Sequence, residues 1–418
     1  MTAMQTHVDV RSDFKDGHEF QAAAANQRPV SRRGFLKTLG GASALLAVGA
    51  TGGLTWRAAD QGVFSTNRGP AYEAWQAWND QAGGVPLNLV RAAVLAASAH
   101  NTQPWIFRLT TNRVDLYAVT ARNIGTIDSL RREMYISLGC ALENLVVAAD
   151  AHGLRSTVQL MPDTSDPTFA ARVDLASGLS TSSPLYQAIP KRHTNRAAYA
   201  GRPVALQTLR EMEALIDTPE VAVVWLTSGS QKQAFRQLTV RATQAIIADP
   251  EQAADDFAWY PQDWQALQAR KDGVTLDASG ISPVLRTLGK LLGVPRDQSD
   301  QGWLSATRDS QLPTAAAFGT LVVHQARDNT QRIQAGRVWQ RMHLWATSQG
   351  LAMQPLNQVV ERAEREQSAG LHPDFTNEVA AMIPEAGWQA VMPFRIGYPI
   401  VDALESPRRP AEDVVVRS

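Results

Sequence analysis

The sequence is poor in cysteine, with one such residue in 418, Cys140. A single cysteine cannot form a disulfide within the chain, bind an iron–sulfur cluster or complete a cysteine-rich zinc site. It lies in the apolar run 136–142, which is typical of a buried helix face. A core role is therefore favoured over the alternative, a reactive thiol.

Net charge is also lacking, because 40 basic residues balance 40 acidic ones. A nucleic-acid-binding protein needs a net basic face, so this class of function is disfavoured.

No Gly-x-Gly-x-x-Gly follows a predicted strand, and a Rossmann dinucleotide fold is not expected. The sequence has neither a Gly-x-Ser-x-Gly elbow nor a His-Glu-x-x-His pair. No metal site is therefore expected, and an exported hydrolase is the least favoured function.

The N-terminal region has the pattern of an export signal. A polar stretch, 1–30, precedes the run Ser31-Arg32-Arg33-Gly34-Phe35-Leu36-Lys37, and an uncharged, glycine-rich segment follows as far as Leu54. Twin arginines ahead of such a segment are typical of a twin-arginine (Tat) signal. The segment is short and rich in glycine for a stable membrane span, which needs about 20 strongly apolar residues. The alternative is a chance arginine pair before an ordinary hydrophobic helix.

The signal predicts export by the Tat machinery to the periplasm or cell envelope. That route carries proteins that are already folded, often with a cofactor inserted in the cytoplasm. We assign residues 1–55 to the signal region and 56–85 to a linker. A chain with one cysteine also gains nothing from folding in an oxidising compartment.

The rest of the sequence, with 44% hydrophobic residues and 11 tryptophans, is that of a globular protein with a large core. Strands and long helices alternate without a regular βαβ rhythm, and no internal repeat is evident. This mixture predicts an α+β fold. Apolar periodicity predicts strands at 105–109, 114–119, 158–161, 171–175, 221–226, 317–324 and 391–398, and long helices at 134–149, 231–247 and 330–348. The pattern weakens between 249 and 312, which we interpret as an irregular insert.

Three segments carry candidate binding residues. The first is Ala97-Ser98-Ala99-His100-Asn101-Thr102-Gln103-Pro104-Trp105, between a predicted helix and a strand. Its amides and hydroxyl can both donate and accept hydrogen bonds, as the polar edge of a heteroaromatic ring requires. A helix cap followed by a turn would explain part of the same string.

The second segment is Lys191-Arg192-His193-Thr194-Asn195-Arg196. Alternate residues of an extended stretch point the same way, so Arg192, Thr194 and Arg196 could converge on one anion. A basic hexapeptide in isolation would more often be a solvated surface.

The third segment is the C-terminal Gly397-Tyr398-Pro399 with the later run Ser406-Pro407-Arg408-Arg409-Pro410. A frayed basic tail is the alternative interpretation. A weaker element, Gly350-Leu351-Ala352-Met353-Gln354-Pro355-Leu356, follows the last long helix.

Together these segments resemble the motifs of the nitroreductase superfamily, whose members bind flavin mononucleotide (FMN). The resemblance implies that Ala97, Ser98, Asn101 and Gln103 lie against the flavin ring. It implies that Arg192, Thr194 and Arg196, with Arg408 or Arg409, grip the FMN phosphate. Gln354 and Pro355 would pass the reactive face of the ring. No catalytic side chain is singled out, since the cofactor carries the chemistry.

The order of the motifs predicts an unusual arrangement. Nitroreductases are usually homodimers of chains about half this long, with each flavin between subunits. Here one ring motif lies in the first half of the chain and the phosphate motifs lie in the second. We therefore expect a nitroreductase-like fold of mainly antiparallel sheets flanked by helices, with two fused halves, 86–180 and 181–418. This pseudo-dimer would keep one flavin site and lie nearest the single-chain, Acg-like branch, with 249–312 as a lid-like insert.

The implied function is an exported FMN-dependent oxidoreductase. It would reduce nitroaromatic or quinone-like acceptors by hydride transfer, using a small-molecule electron donor. The alternative is a non-catalytic protein that stores FMN with the flavin covered.

Overall fold

The computed structural model describes residues 52–181 and 183–417, so the predicted twin-arginine motif lies outside the described residues. The helices are α1 (Gly52–Asp60), α2 (Glu73–Gln76), α3 (Val85–Ala93), α4 (Arg132–Ala151), α5 (Pro184–Ala188), α6 (Leu206–Glu213), α7 (Gly229–Ala248), α8 (Pro250–Phe257), α9 (Trp264–Arg270), α10 (Pro283–Leu292), α11 (Arg296–Ala306), α12 (Leu312–Thr314), α13 (Asn329–Ser348), α14 (Gln358–Ala369) and α15 (Asp374–Ala381). The strands are β1 (Trp105–Thr110), β2 (Arg113–Ala118), β3 (Leu154–Leu160), β4 (Phe169–Ser177), β5 (Tyr199–Ala200), β6 (Val221–Leu226), β7 (Ala317–Val323), β8 (Ala352–Pro355), β9 (Gln389–Pro399) and β10 (Val415–Arg417).

Two five-stranded sheets organise the chain. The first has the order β10-β1-β2-β4-β3 and is antiparallel except for β10, which runs parallel to β1 with Phe107 opposite Val415. The second has the order β5-β9-β7-β6, with β8 also paired to β9, and is antiparallel throughout. The predicted α+β class with mainly antiparallel sheets is confirmed.

The two halves share one topology. In the first half, β1 and β2 pair, the long helix α4 follows, and β3 and β4 complete the order β1-β2-β4-β3. In the second half, β6 and β7 pair, α13 follows, and β8 and β9 complete the order β6-β7-β9-β8. The expectation of two fused halves therefore has a structural basis. The strands β5 and β10 are additions at the sheet edges.

The two long helices cross at a pair of glycines. Both α4 and α13 are 20 residues long, and Gly139 and Gly336 each occupy the eighth position. A Cβ added to Gly139 would lie 2.1 Å from the carbonyl oxygen of Ile333, and one added to Gly336 would lie 2.0 Å from that of Ile136. The contact is reciprocal, as at a two-fold axis. Side chains of both halves form one continuous core around this crossing.

Helix α4 is the one helix in the described part of the chain that is long and apolar enough to cross a membrane. In this fold, 83% of its apolar window is buried inside the protein. Its hydrophobicity is accounted for by the packing against α13 and the first sheet.

The segment 249–312 differs from the irregular insert expected from the sequence, because most of it is helical. Asp249, Asp263 and Ser282 each accept backbone hydrogen bonds at the start of α8, α9 and α10. Short helices of this kind, with Pro250 and Pro283 in their first turns, are punctuated too often to show a long apolar period. The interruptions between these short helices were therefore evident in the sequence, whereas the helices themselves were not.

Candidate functional site

A cavity lies where the loop 97–105 meets α4, α13, α14 and the strand β8. Its volume is about 910 Å³, part of which is open to solvent. The loop, α4 and the phosphate motif provide Ala97, Ser98, Ala99, His100, Glu133, Ile136, Ser137, Cys140, Thr194 and Arg196. The insert and the second half provide Asp256, Tyr260, Val274, Trp303, Trp339, Gln354, Pro355, Asn357, Gln358, Glu361 and Met392. We call this the main cavity.

A smaller polar cavity of about 320 Å³ lies beside the main cavity. Four residues line both: Ala97, Ser98, Thr194 and Arg196. The remaining walls of the polar cavity are Asn101, Arg192, His193, Ser406 and Arg408. Segments that are far apart in the sequence thus bring three arginines to one small space.

These three arginines have no acidic partner at short range. In the described part of the chain, no carboxylate forms an ion pair with Arg192, Arg196 or Arg408 (Glu405 attracts Arg408 only from further away). Burial lowers the pKa of Arg192 to about 10. Burial, reinforced by the charge of Arg192, lowers the pKa of Arg408 as well.

Several donors of this cluster also remain unpaired. Among the described residues, no hydrogen-bond acceptor reaches Nε or Nη1 of Arg192, or Nε of Arg408. The guanidinium groups of Arg192 and Arg408 donate only to neutral backbone or amide oxygens, those of Leu95, Ala96, Pro407 and Asn101. Buried cations that repel one another and keep free donors are costly to the fold unless an anion binds between them. The geometry therefore indicates an anion site.

The loop 97–105 is held in a strained conformation. His100, Asn101 and Gln103 have φ angles of 45°, 56° and 50°, a region that non-glycine residues rarely adopt. Such strain costs about 1–3 kcal/mol per residue and persists where the surroundings enforce it. Here the Ser98 hydroxyl accepts the Gln103 N–H, and Ser137 on α4 accepts the Ala99 N–H.

Asn101 and Gln103 tie the loop to two distant segments. The Asn101 amide donates to the carbonyls of Gly273 and Pro407, and its oxygen accepts from Arg408. The Gln103 amide donates to the carbonyl of Lys271 and accepts the N–H of Arg409. Both side chains therefore position the insert and the C-terminal segment around the polar cavity.

The structure brings together nine of the eleven residues expected at the site. The main cavity, the polar cavity or both contain Ala97, Ser98, Asn101, Arg192, Thr194, Arg196, Gln354, Pro355 and Arg408. Gln103 and Arg409 line neither cavity. Gln103 is fully buried by the contacts above, and the Arg409 side chain donates to the carbonyl of Asp413.

An acidic wall of the main cavity was not foreseen from the sequence. It consists of Glu133 on α4, Glu361 on α14 and Asp256 on α8. Asp256 lies 2.6 Å from Nε2 of His100. Burial alone would lower the pKa of His100, but its hydrogen bond to Asp256 and the charge of that residue raise it.

The insert closes the outer side of the main cavity with Asp256, Tyr260, Val274 and Trp303. Trp259 and Trp264, two other tryptophans of this segment, do not line it. Trp259 lies beside the guanidinium groups of Arg122 and Arg270, and Trp264 stacks on Tyr72.

The pseudo-symmetric position in the other half is filled by ion pairs. Arg337 on α13 occupies the ninth position of its helix, as Cys140 does on α4. Nε of Arg337 lies 2.9 Å from Glu143, and Nε of Arg341 lies 2.6 Å from the same carboxylate. Arg341 also pairs with Asp217. The long side chain of Arg337 thus stands on α13 at the position where Cys140 of α4 lines the main cavity.

A Mycobacterium tuberculosis protein named "Putative NAD(P)H nitroreductase Rv3131" is 26% identical over 326 residues, which cover 77% of this chain and 87% of that protein. A second nitroreductase of that organism, acg, is 31% identical over 87 residues, covering 21% of this chain and 26% of that protein. The chain is thus similar over most of its length to proteins named as nitroreductases. No protein-family model matches it.

Solved structures of nitroreductases also align with the chain. The FMN- and NADPH-dependent nitroreductase NfnB from sphigopyxis sp. strain HMH is 17% identical, with a TM-score of 0.35, covering 56% of this chain and 97% of that one. A Desulfitobacterium hafniense nitroreductase with bound FMN is 13% identical, with a TM-score of 0.33, covering 56% and 98%. Each aligned chain corresponds to about half of this one.

Proposed function

We propose that this nitroreductase relative binds one FMN per chain and transfers hydride from a nicotinamide donor to a quinone-like or nitroaromatic acceptor. The observation that carries the proposal is the cluster of Arg192, Arg196 and Arg408 in the polar cavity, which adjoins the main cavity. A phosphate monoester is the anion that best matches several converging guanidinium groups. The adjoining main cavity is lined by Tyr260, Trp303 and Trp339, and aromatic walls of this kind suit a flat ring system.

The residues fit FMN in both parts. Free N–H groups of Arg192 and Arg408 would hold the phosphate, with the Thr194 hydroxyl beside them. Ala97, Ser98, Gln354 and Pro355 would enclose the ring, with Trp303 and Tyr260 on the outer side. Bound FMN supplies reversible hydride chemistry, and the protein contributes binding, orientation and electrostatics.

One FMN per chain is supported by the unequal halves. The phosphate motif at 192–196 lies in the second half, 181–418, and the ion pairs of Glu143 with Arg337 and Arg341 lie at the pseudo-symmetric position on α13. Protein purified with FMN should therefore show one flavin per chain from its visible absorbance. Two flavins per chain would contradict the proposed single site.

Titration with NADPH under anaerobic conditions tests for an enzyme. We expect the flavin absorbance to bleach with one equivalent of NADPH and to recover when a quinone is added. The storage alternative predicts that NADPH leaves the wild type oxidised. In that case Trp303→Ala, which removes part of the outer wall, should restore reduction. A protein that carries no flavin at all would contradict both functions.

Export by the Tat pathway is a separate proposal, supported by the sequence Ser31–Lys37. Replacing Arg32 and Arg33 together by lysine should retain the protein in the cytoplasmic fraction of fractionated cells. The matched control is Arg28→Lys, which keeps the twin pair and should leave the distribution unchanged. Unchanged export of the double variant would overturn the Tat assignment.

A further inference from the structure

Two carboxyl groups meet on the wall of the main cavity. Glu133 is the second residue of α4, and Glu361 lies in the first turn of α14. Both line the cavity and both are buried, and the negative charge of Glu133 acts on Glu361. Two buried carboxylates side by side repel each other, so ionisation of both at once is disfavoured. We therefore expect one of the pair to keep a proton next to the space where substrates would bind.

The surrounding charges place that proton on Glu361. Arg132, which is fully buried, donates through Nη2 to Glu133 at 3.0 Å and lies with Nε 3.2 Å from Glu364. Glu133 thus has a buried guanidinium group as its hydrogen-bond partner. Among the described residues, no lysine, arginine or histidine forms an ion pair with Glu361. Burial and then the charge of Glu133 raise the pKa of Glu361, against a lowering by Arg132.

Other ionisable groups, on the helices and the insert that surround Glu133 and Glu361, also face these two residues. Burial and the charges of Glu133 and Glu364 raise the pKa of Asp128, which accepts the backbone N–H groups of Glu133 and Met134. Burial raises the pKa of Glu364 and lowers that of Arg332 on α13. The insert contributes Asp256, whose negative charge further raises the pKa of Glu361, and Tyr260. Acidic groups outnumber basic ones here, which favours the protonated pair.

We propose that Glu361 is a catalytic acid that donates its proton to the acceptor bound in the main cavity. The inference rests on the proposed function, because reduced FMN is the source of the two electrons. For a quinone, hydride from the reduced cofactor adds to the acceptor while the O–H bond of Glu361 breaks and a new O–H bond forms on a quinone oxygen. The product is the hydroquinone. Glu361 is left as a carboxylate beside Glu133 and regains its proton from water.

The test compares Glu361→Gln with wild type. Glutamine keeps a hydrogen-bond donor to Glu133 and has no acidic proton. In the cofactor-free protein, the infrared C=O band of a protonated carboxyl group should be present in wild type and diminished in the variant. This readout does not depend on FMN, so its result stands even if the proposed function fails.

The kinetic arm uses reduced, FMN-loaded protein mixed rapidly with p-benzoquinone or with ferricyanide. General acid catalysis contributes about 10²- to 10⁴-fold, so oxidation by the quinone should slow by that order in the variant. Ferricyanide takes electrons without a proton, and its rate should be unchanged. Equal quinone rates in both proteins, with flavin bound and reducible, would overturn the acid role while leaving the oxidoreductase in place.

A matched control is Asp150→Asn, at the exposed end of the same helix α4. It should leave the infrared band and both oxidation rates as in wild type. A band that is absent from wild type, or that persists in full in Glu361→Gln, would overturn the assignment of the proton.

The pH dependence of stability gives an additional readout. The folded pKa of Glu361 lies above its ordinary value of 4.5, so the folded protein binds more protons than the unfolded chain between these two values. The stability of wild type relative to Glu361→Gln should therefore fall as pH rises from 4.5 through the folded pKa. A flat or rising difference would contradict a protonated Glu361.

Discussion

Replacement of Arg192 by methionine is expected to stabilise the cofactor-free protein and at the same time to weaken FMN binding. The arginine is buried among cations, and its Nε and Nη1 have no acceptor among the described residues. Replacing buried charges by apolar side chains of similar volume is often neutral or stabilising, by about 1–4 kcal/mol. The melting temperature of the apoprotein should therefore rise. A higher melting temperature of the apoprotein together with a lower affinity for FMN is the result expected when buried cations are arranged to bind an anion.

The loss of FMN affinity should be about 1.5–3 kcal/mol, the contribution of one charge-assisted hydrogen bond. That range corresponds to a dissociation constant raised roughly 10- to 100-fold, measurable by flavin fluorescence. Riboflavin lacks the phosphate and should bind wild type and variant almost equally. FMN bound as tightly by the variant as by wild type would remove Arg192 from the phosphate site.

Arg395 provides the matched control for the stability change. It is also fully buried, and burial lowers its pKa to about 10. Unlike Arg192, it donates to four oxygens, those of Gln354, Gln311, Asn195 and Ala197. Arg395→Met leaves these acceptors without a donor and should destabilise the apoprotein, by about 1–3 kcal/mol for each acceptor that water cannot reach. A rise in melting temperature for both variants would mean that the cost of burying Arg192 without a bound anion does not explain the effect of replacing it.

Local patterns indicated one part of the candidate site. Alternation along an extended stretch predicted that Arg192, Thr194 and Arg196 share a side; all three line the polar cavity, and so does His193 between them. The apolar period of 134–149 likewise predicted the helix that carries the cavity wall. Both features depend on neighbours in sequence, which is why the chain alone was informative.

The acidic wall depends on contacts that no local pattern records. Glu133 and Glu361 look like ordinary helix residues, because glutamate is common in first turns. Only the packing of α4 against α14 makes them partners. Gln103, in contrast, was expected at the site from the sequence but lines neither cavity. Its place in the ring motif suggested a ligand contact, whereas its side-chain amide hydrogen-bonds to Lys271 and Arg409 and joins them to the loop.

The repeat of the two halves was also invisible in the sequence. The helices α4 and α13 have equal lengths and place Gly139 and Gly336 at the same position, yet most of their side chains differ. Between β6 and β7 the second half also contains the helices α7–α12, which separate strands that pair directly. Topology persists here where sequence similarity does not, since a packed core needs matching shape more than matching residues.

Gly336→Ala is expected to be among the most damaging single substitutions in the chain. The added methyl group would lie 2.0 Å from the carbonyl oxygen of Ile136 and 3.0 Å from the Cα of Gly139, which are backbone atoms that cannot turn aside. The two halves must then move apart along the crossing of α4 and α13. Overpacking of this kind costs about 1–3 kcal/mol and occasionally more, and rigid backbone neighbours favour the upper end.

The same movement should disturb the cofactor site, because Ile136 and Cys140 on α4 and Trp339 on α13 line the main cavity. We therefore expect a lower melting temperature together with weaker FMN binding. Gly302→Ala in α11 is the matched control, since nothing lies within 4 Å of its added methyl group. That change should stabilise the protein by about 0.5–1 kcal/mol, as alanine does in place of glycine inside a helix. If Gly336→Ala melts and binds FMN like wild type, the glycine crossing does not set the spacing of the two halves.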